Sequence, residues 1–193
     1  RLDWLILTHY DSDHVSGVTA LTERMGVEVL LAPDGADSAG LRETVLSAAE
    51  AAGASAASLE EVRTLSLGAA MLTVYPPVGE GGDNEEGLAV LTSAGDLDLL
   101  TTGDMDRATE QKLLAAYDLP DVEILAAGHH GSRYSTSEEL LEALRPETAC
   151  VSVGSNSYGH PSEEALERLA QQGCTVFRTD LHVDIHLSLN WEN

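Results

Sequence analysis

Basic residues, aromatics and cysteine are all scarce in this chain of 193 residues. Ten Lys and Arg stand against 33 Asp and Glu, a formal charge of −23. Such a balance favours solubility and opposes non-specific adhesion to nucleic acid or anionic lipid. One Phe, two Trp and five Tyr leave the core to Leu, Val, Ile and Ala. The two cysteines, Cys150 and Cys174, begin two apolar runs and read as reduced core thiols, not as a disulfide framework. No stretch offers the ~18 consecutive apolar residues of a membrane span, and no signal peptide is visible.

What remains is enough for one domain with a full core. The chain begins inside an apparent core strand without an initiator Met, so a domain excised from a larger protein is expected. Acidic runs such as Glu138, Glu139 and Glu142, or Glu163, Glu164 and Glu167, read as solvated helix faces.

Apolar patterning predicts strands near 3–8, 28–32, 69–75, 88–93, 97–102, 122–127, 148–153, 174–178 and 183–189. Helical periodicity falls near 14–26, 37–53, 106–117, 136–145 and 161–172. The alternation predicts a layered α/β fold. The stretch 59–102 is strand-rich without helices, which predicts hairpins there. The Ala/Ser-rich stretch 47–58 reads as an exposed helix and its exit. Gly79 to Gly87 reads as a flexible acidic loop.

Residues 4–14 read W-L-I-L-T-H-Y-D-S-D-H. An apolar strand stops, and His9, Asp11, Asp13 and His14 follow within six positions. Carboxylates packed this closely repel one another unless a divalent cation compensates. The bland alternative is a polar turn with Asp13 capping the next helix. Three more predicted strands end in polar clusters: Thr102-Gly103-Asp104, then Gly128-His129-His130-Gly131-Ser132, then the run from Gly154 to Pro161 that includes His160. In α/β sheets the C-terminal strand edge is where ligands bind. Together the clusters supply more His and Asp than one ion needs, which points to two ions about 3.5–4 Å apart.

Alternatives stay open at single positions. Asp104 is either a ligand or the N-cap of helix 106–117. His129 and His130 cannot both face one way if strand geometry continues through them. One then faces the ions, and the other orients a loop or donates a proton. His160 is a ligand or a turn residue before Pro161. His182 and His186 read as surface or core histidines, and Asp83 and Asn84 are weak candidates.

H-x-D-x-D-H at 9–14 with T-G-D at 102–104 resembles the metallo-β-lactamase superfamily, whose usual first motif is H-x-H-x-D-H. With G-H-H-G-S at 128–132, S-T-S at 135–137, S-V-G at 152–154, Y-G-H-P at 158–161 and R-T-D at 178–180, the chain resembles the C-terminal hydrolase domain of the ComEC family of DNA-uptake channel proteins. The resemblance runs from residue 3 to about 185. It implies an αββα sandwich with the metal site along one edge. The superfamily's opening strands are absent from the sequence given, and so is a third His upstream of T-G-D, where Asp83-Asn84-Glu85 stands.

The resemblance implies a binuclear hydrolase. His9 and Asp11 would hold one ion, Asp13 and His14 the other. Asp104 would bridge them, His160 would complete the second site, and His130 would fill the vacant position. Asp13 and His129 are the catalytic candidates. Asp11 in place of an imidazole shifts preference toward Mn or Mg, with Zn still possible. Ser132, Ser135 and Thr136 are candidate phosphate donors, and Arg133 and Arg178 candidate cationic contacts. The implied activity is a phosphodiesterase degrading DNA, single-stranded and delivered by the channel portion of the same parent protein, with no nucleotide cofactor. The domain would sit on the outer side of the cytoplasmic membrane. Alternatives are a small-molecule hydrolase of a lactone, thioester or phosphate ester, and a module that has lost catalysis.

Overall fold

The computed structural model describes residues 1–35, 37, 40–79, 82, 84 and 86–188. Two sheets lie between two groups of helices. The small sheet is parallel, in the order β1 (Leu2–Ile6), β2 (Val27–Ala32), β3 (Ser55–Ser58). Its connections carry α1 (Ser12–Val15), α2 (Val18–Arg24) and α3 (Leu41–Ala51).

The large sheet has seven strands. β4 (Arg63–Leu67), β5 (Ala70–Tyr75), β6 (Ala89–Ala94) and β7 (Leu97–Thr101) form an antiparallel meander. β8 (Ile124–Ala126), β9 (Thr148–Val151) and β10 (Thr175–Arg178) then continue it in parallel from β7. Helices α4 (Arg107–Ala116), α5 (Glu138–Leu144) and α6 (Glu163–Gln172) supply the parallel crossovers, and α7 (Thr179–His182) follows β10.

Neighbouring strand residues point to opposite faces, and this period builds the layers. Leu30 packs outward with Val15, Val18 and Val45, against the small sheet's helices. Leu31, one residue on, joins Val74, Leu88 and Val90 between the sheets. On the large sheet Val90 faces inward, while Leu91 and Leu100 pack outward with Leu113, Leu140 and Leu169. Each fully buried leucine adds about 1.5–3 kcal/mol, so both interfaces hold the sandwich. It is the αββα sandwich that the sequence resemblance implies.

Several elements depart from the patterning, among them β4 and α7, which no predicted strand or helix covers. The predicted helix 14–26 breaks into α1 and α2 at Ser16 and Gly17. The small residues Ser55–Ser58, expected as a helix exit, form β3 because β2 offers them a parallel ladder, Val29 to Ser55 and Leu31 to Ala57. Residues 183–188 of the expected strand 183–189 form none; residue 189 lies outside the described set. A strand needs a ladder partner. Here α7 turns the chain away from β10, and Val183 adopts φ +65° and stays exposed.

Candidate metal centre

β1 carries the first donors to the sheet edge. Leu7 still bonds to Leu31, and the Thr8 carbonyl accepts from Leu88 N at 2.8 Å, where the small sheet meets the start of β6. Tyr10 turns into the core and donates its hydroxyl to the Pro33 carbonyl at 2.9 Å. This fixes the loop from behind and leaves His9, Asp11, Asp13 and His14 on the other side. Asp11 sits at the N-cap of α1 but makes no capping bond, and Asp13 lies inside the helix. Neither carboxylate is consumed by capping.

Asp104 answers its own ambiguity. The cap of α4 is Asp106, whose side chain accepts from Thr109 N at 2.9 Å. Asp104 is buried and turned toward the histidines. Its Oδ1 lies 3.3 Å from His14 Nε2, and its Oδ2 lies 3.7 Å from His9 Nε2 and 3.6 Å from His129 Nε2. Gly103 makes this approach possible. It has φ +58°, and a Cβ there would stand 3.0 Å from Thr8 Cβ.

Divergence of His129 and His130 is expected only if strand geometry continues through them. Strand geometry ends at Ala126, however, and both residues take the left-handed conformation, φ 49° and 54°. That costs about 1–2 kcal/mol per residue, and it swings both rings to the same side. His130 Nε2 reaches Asp13 Oδ2 at 3.1 Å and stands 3.3 Å from His14 Nε2. Its Nδ1 bonds to the Ser152 carbonyl at 2.8 Å, which directs Nε2 inward.

Among the described residues two groups of donors result: His9, His14 and Asp104, and Asp13, His14 and His130, each with ligand atoms within 4.8 Å of one another. Asp11 Oδ2 lies 3.8 Å from His9 Nε2. His160 stands outside both groups, its ring 5.5 Å from that of His129 and its Nδ1 buried without a partner.

These donors fit cations. Two donors on one tetrahedral ion at about 2.1 Å stand roughly 3.4 Å apart, the range of the His–Asp separations. His9 Nδ1 contacts Thr8 Oγ1 at 3.0 Å, while its Nε2 is buried with no hydrogen-bond partner, facing carboxylates. Burial, then the neighbouring His14, lowers the His9 pKa to about 4, so its imidazole is neutral and able to ligate near pH 7. For His14, burial acts downward, but the Asp104 hydrogen bond and the surrounding carboxylates raise it overall. For Asp104, burial acts upward, and His14, His9 and His129 hold it below the usual range.

The expected substrate contacts are placed differently. Ser132, Ser135 and Thr136 are buried. Ser132 Oγ accepts from Tyr134 N, and Thr136 Oγ1 from Gly128 N. The hydroxyls of Ser132 and Thr136 organise the loop, Ser135 Oγ is buried with no hydrogen-bond partner, and all three residues are closed off from solvent. Arg133 pairs with Glu164 at 3.3 Å, and Arg178 with Asp180 at 2.6 Å. The open cleft beside the donors, about 520 Å³, is lined instead by Asp13, His130, Ser152, Asn156, Tyr158 and His160.

Two supporting residues escaped the sequence reading. Buried Glu110 accepts from Thr136 N at 2.6 Å and Ser137 N at 2.8 Å. Arg168 donates to the carbonyls of Thr136, Ser135 and Arg133. Acid and base thus clamp the loop whose Thr136 holds Gly128, just before the two histidines. The available signal was an acid on the apolar face of α4, beside Leu113.

Residues 1–155 match the sequence profile of the metallo-beta-lactamase superfamily. The chain belongs to this superfamily. Within it, the chain is 32% identical over 183 residues to ComE operon protein 3 of Bacillus subtilis, covering 93% of this chain and 24% of that protein. It is 34% identical over 185 residues to competence protein ComA of Neisseria gonorrhoeae, covering 94% and 24%. The chain therefore spans about a quarter of the length of these relatives. Among solved structures, CmlA, a diiron β-hydroxylase from Streptomyces venezuelae, shares the fold with TM-score 0.63 and 18% identity over 94% of this chain and 44% of that one. The likeness to these competence proteins runs over nearly the whole of this chain. No helix among the described residues is long and apolar enough to cross a membrane.

Proposed function

We propose that the chain is a binuclear, metal-dependent phosphodiesterase that degrades single-stranded DNA, the hydrolase part of a DNA-uptake channel. The observation that carries this reading is the pair of donor groups sharing His14 at the mouth of an open cleft. The competence names of its relatives support DNA as the substrate. The domain would sit outside the cytoplasmic membrane, beside the channel portion of the same protein.

His9, Asp11 and His129 would hold one ion, and Asp13, His14 and His130 the other, with Asp104 between them. His129 thereby takes a ligand position, because it faces the same Asp104 oxygen as His9. Asp11, in place of an imidazole, favours Mn in this mixed set of carboxylates and imidazoles, with Zn or Mg as alternatives. When bound, two such cations lower the pKa of water and neutralise charge on a phosphoryl oxygen. Asp13, the most exposed donor, orients the attacking water and accepts its proton. His160, at the cleft wall beside His129, is kept neutral by burial and the neighbouring His129 and His130, and would hydrogen-bond a substrate oxygen. Thr8 and the Ser152 carbonyl fix the His9 and His130 rings.

Manganese-dependent release of nucleotides from single-stranded DNA, abolished by Asp13→Ala, is the expected result. The second reading is a hydrolase of a small ester. The observation favouring it is the pairing of Arg133 and Arg178 with acids, which leaves both guanidinium groups engaged. Turnover of a lactone or thioester with inert DNA would decide for it.

A further inference from the structure

The loop from Gly154 to His160 forms one wall of the cleft, and a single side chain organises it. Asn156 Oδ1 accepts from the backbone N–H of Tyr158, Gly159 and His160, at 3.0–3.1 Å. Its Nδ2 donates to the carbonyls of Gly154 and His160, at 2.9 and 2.8 Å. On this fixed backbone Tyr158 is 82% exposed. Its ring lies nearly parallel to that of His160, at 22° and 6.0 Å between centroids. A lone exposed aromatic means little. An exposed aromatic on a loop fixed by five hydrogen bonds, at the lip of a cleft, has already lost the freedom that binding would otherwise cost.

The rings form a row. Tyr158 neighbours His160, His160 lies 5.5 Å from His129, and His129 faces Asp104 at 3.6 Å. A polymer with one phosphodiester at the donor groups would carry an adjoining base along this row. Stacking needs no positive charge, so it suits a chain of net charge −23 whose nearby arginines are paired.

We propose that Tyr158 is a stacking platform for a nucleobase next to the scissile phosphate of a single strand, with Asn156 as the residue that positions it. This rests on the nuclease reading. Base–aromatic stacking tolerates any base and is read by alanine substitution as a loss of roughly 5- to 150-fold.

The test compares an oligonucleotide with the same strand made abasic at its successive cleavable positions. Binding is followed by fluorescence anisotropy in EDTA and cleavage in Mn. The wild-type chain is expected to prefer the strand with bases. Tyr158→Ala is expected to lose that preference in binding and in KM, with kcat kept, while Tyr158→Phe retains it. A Tyr158→Ala chain that discriminates as the wild type does, with DNA still cleaved, overturns the platform alone. A wild-type chain that neither binds nor cleaves either strand overturns the nuclease reading and the platform with it.

Discussion

The two donor groups share His14 and differ in nearly everything else. In the first, His9 is 1% exposed and Asp104 4%. In the second, Asp13 is 61% exposed and His130 28%. Charges in the first group interact through a medium of low effective dielectric, whereas those in the second are screened by water and salt. The inner group is built to retain an ion. The outer group faces the cleft, where an ion held as proposed would exchange with solvent and meet substrate. The difference implies that, on the proposed binuclear reading, the inner site would fill before the outer one.

The largest disturbance expected is Asp104→Asn, because both groups lean on this carboxylate. Calorimetric titration with Mn should show both ions weakened beyond the roughly 100-fold that loss of a supporting hydrogen bond costs. Retention of two tight ions would remove Asp104 from the centre. His130→Ala separates the groups. Stoichiometry is expected to fall from two to one, with the inner ion held and hydrolysis lost, and two retained ions would show that His130 is no ligand.

Thr8→Val acts on the other side of the comparison. It removes the hydroxyl that contacts His9 Nδ1 at 3.0 Å. Inner-site affinity is expected to drop about 10- to 100-fold, with the outer site unchanged. An equal loss at both sites would mean that they are not separable.

The smallest effect is that of Glu110→Gln, which turns an amide N–H toward a backbone donor of the loop behind His129 and His130. About 1–2 kcal/mol of stability is at stake. Burial raises the Glu110 pKa above its ordinary value, although the Ser137 and Thr136 hydrogen bonds and Arg168 pull it back. A folded-state pKa above the unfolded one means that the folded chain binds the extra proton. The contribution of Glu110 is therefore fully present below the ordinary glutamate range and declines as pH rises through the folded-state pKa. In urea unfolding, the gap between wild type and Glu110→Gln is expected to narrow with rising pH. A gap that widens would contradict this sign.

Much of the centre was legible because its donors sit together in sequence. His9 to His14 follow one strand, and Asp104 another, and a strand end is a local signal. The turn that brings both His129 and His130 to one side was not legible, since alternation ceases where left-handed residues begin. Ser132, Ser135 and Thr136 looked like phosphate donors by type. Their burial depends on Glu110 and Arg168, 26 and 32 residues from Thr136, and no local pattern announces that. The layered fold was legible from strand and helix periods. The ladder of β3 was not, because only its neighbour β2 makes a strand of Ser-Ala-Ala-Ser. The reverse holds for 183–188, where alternation is present and a partner strand is not.

The seam at Thr8 carries one more consequence. There, a carbonyl from the small sheet meets Leu88 of the large one, and Gly103 lies almost against the Thr8 side chain. His9 and His14 belong to one slab of the sandwich; Asp104, His129 and His130 belong to the other. A cation gripped by both is a rivet as well as a reagent. Chelation would let the slabs part at that rim, and amide deuterium uptake would quicken first in β1 and at the start of β6.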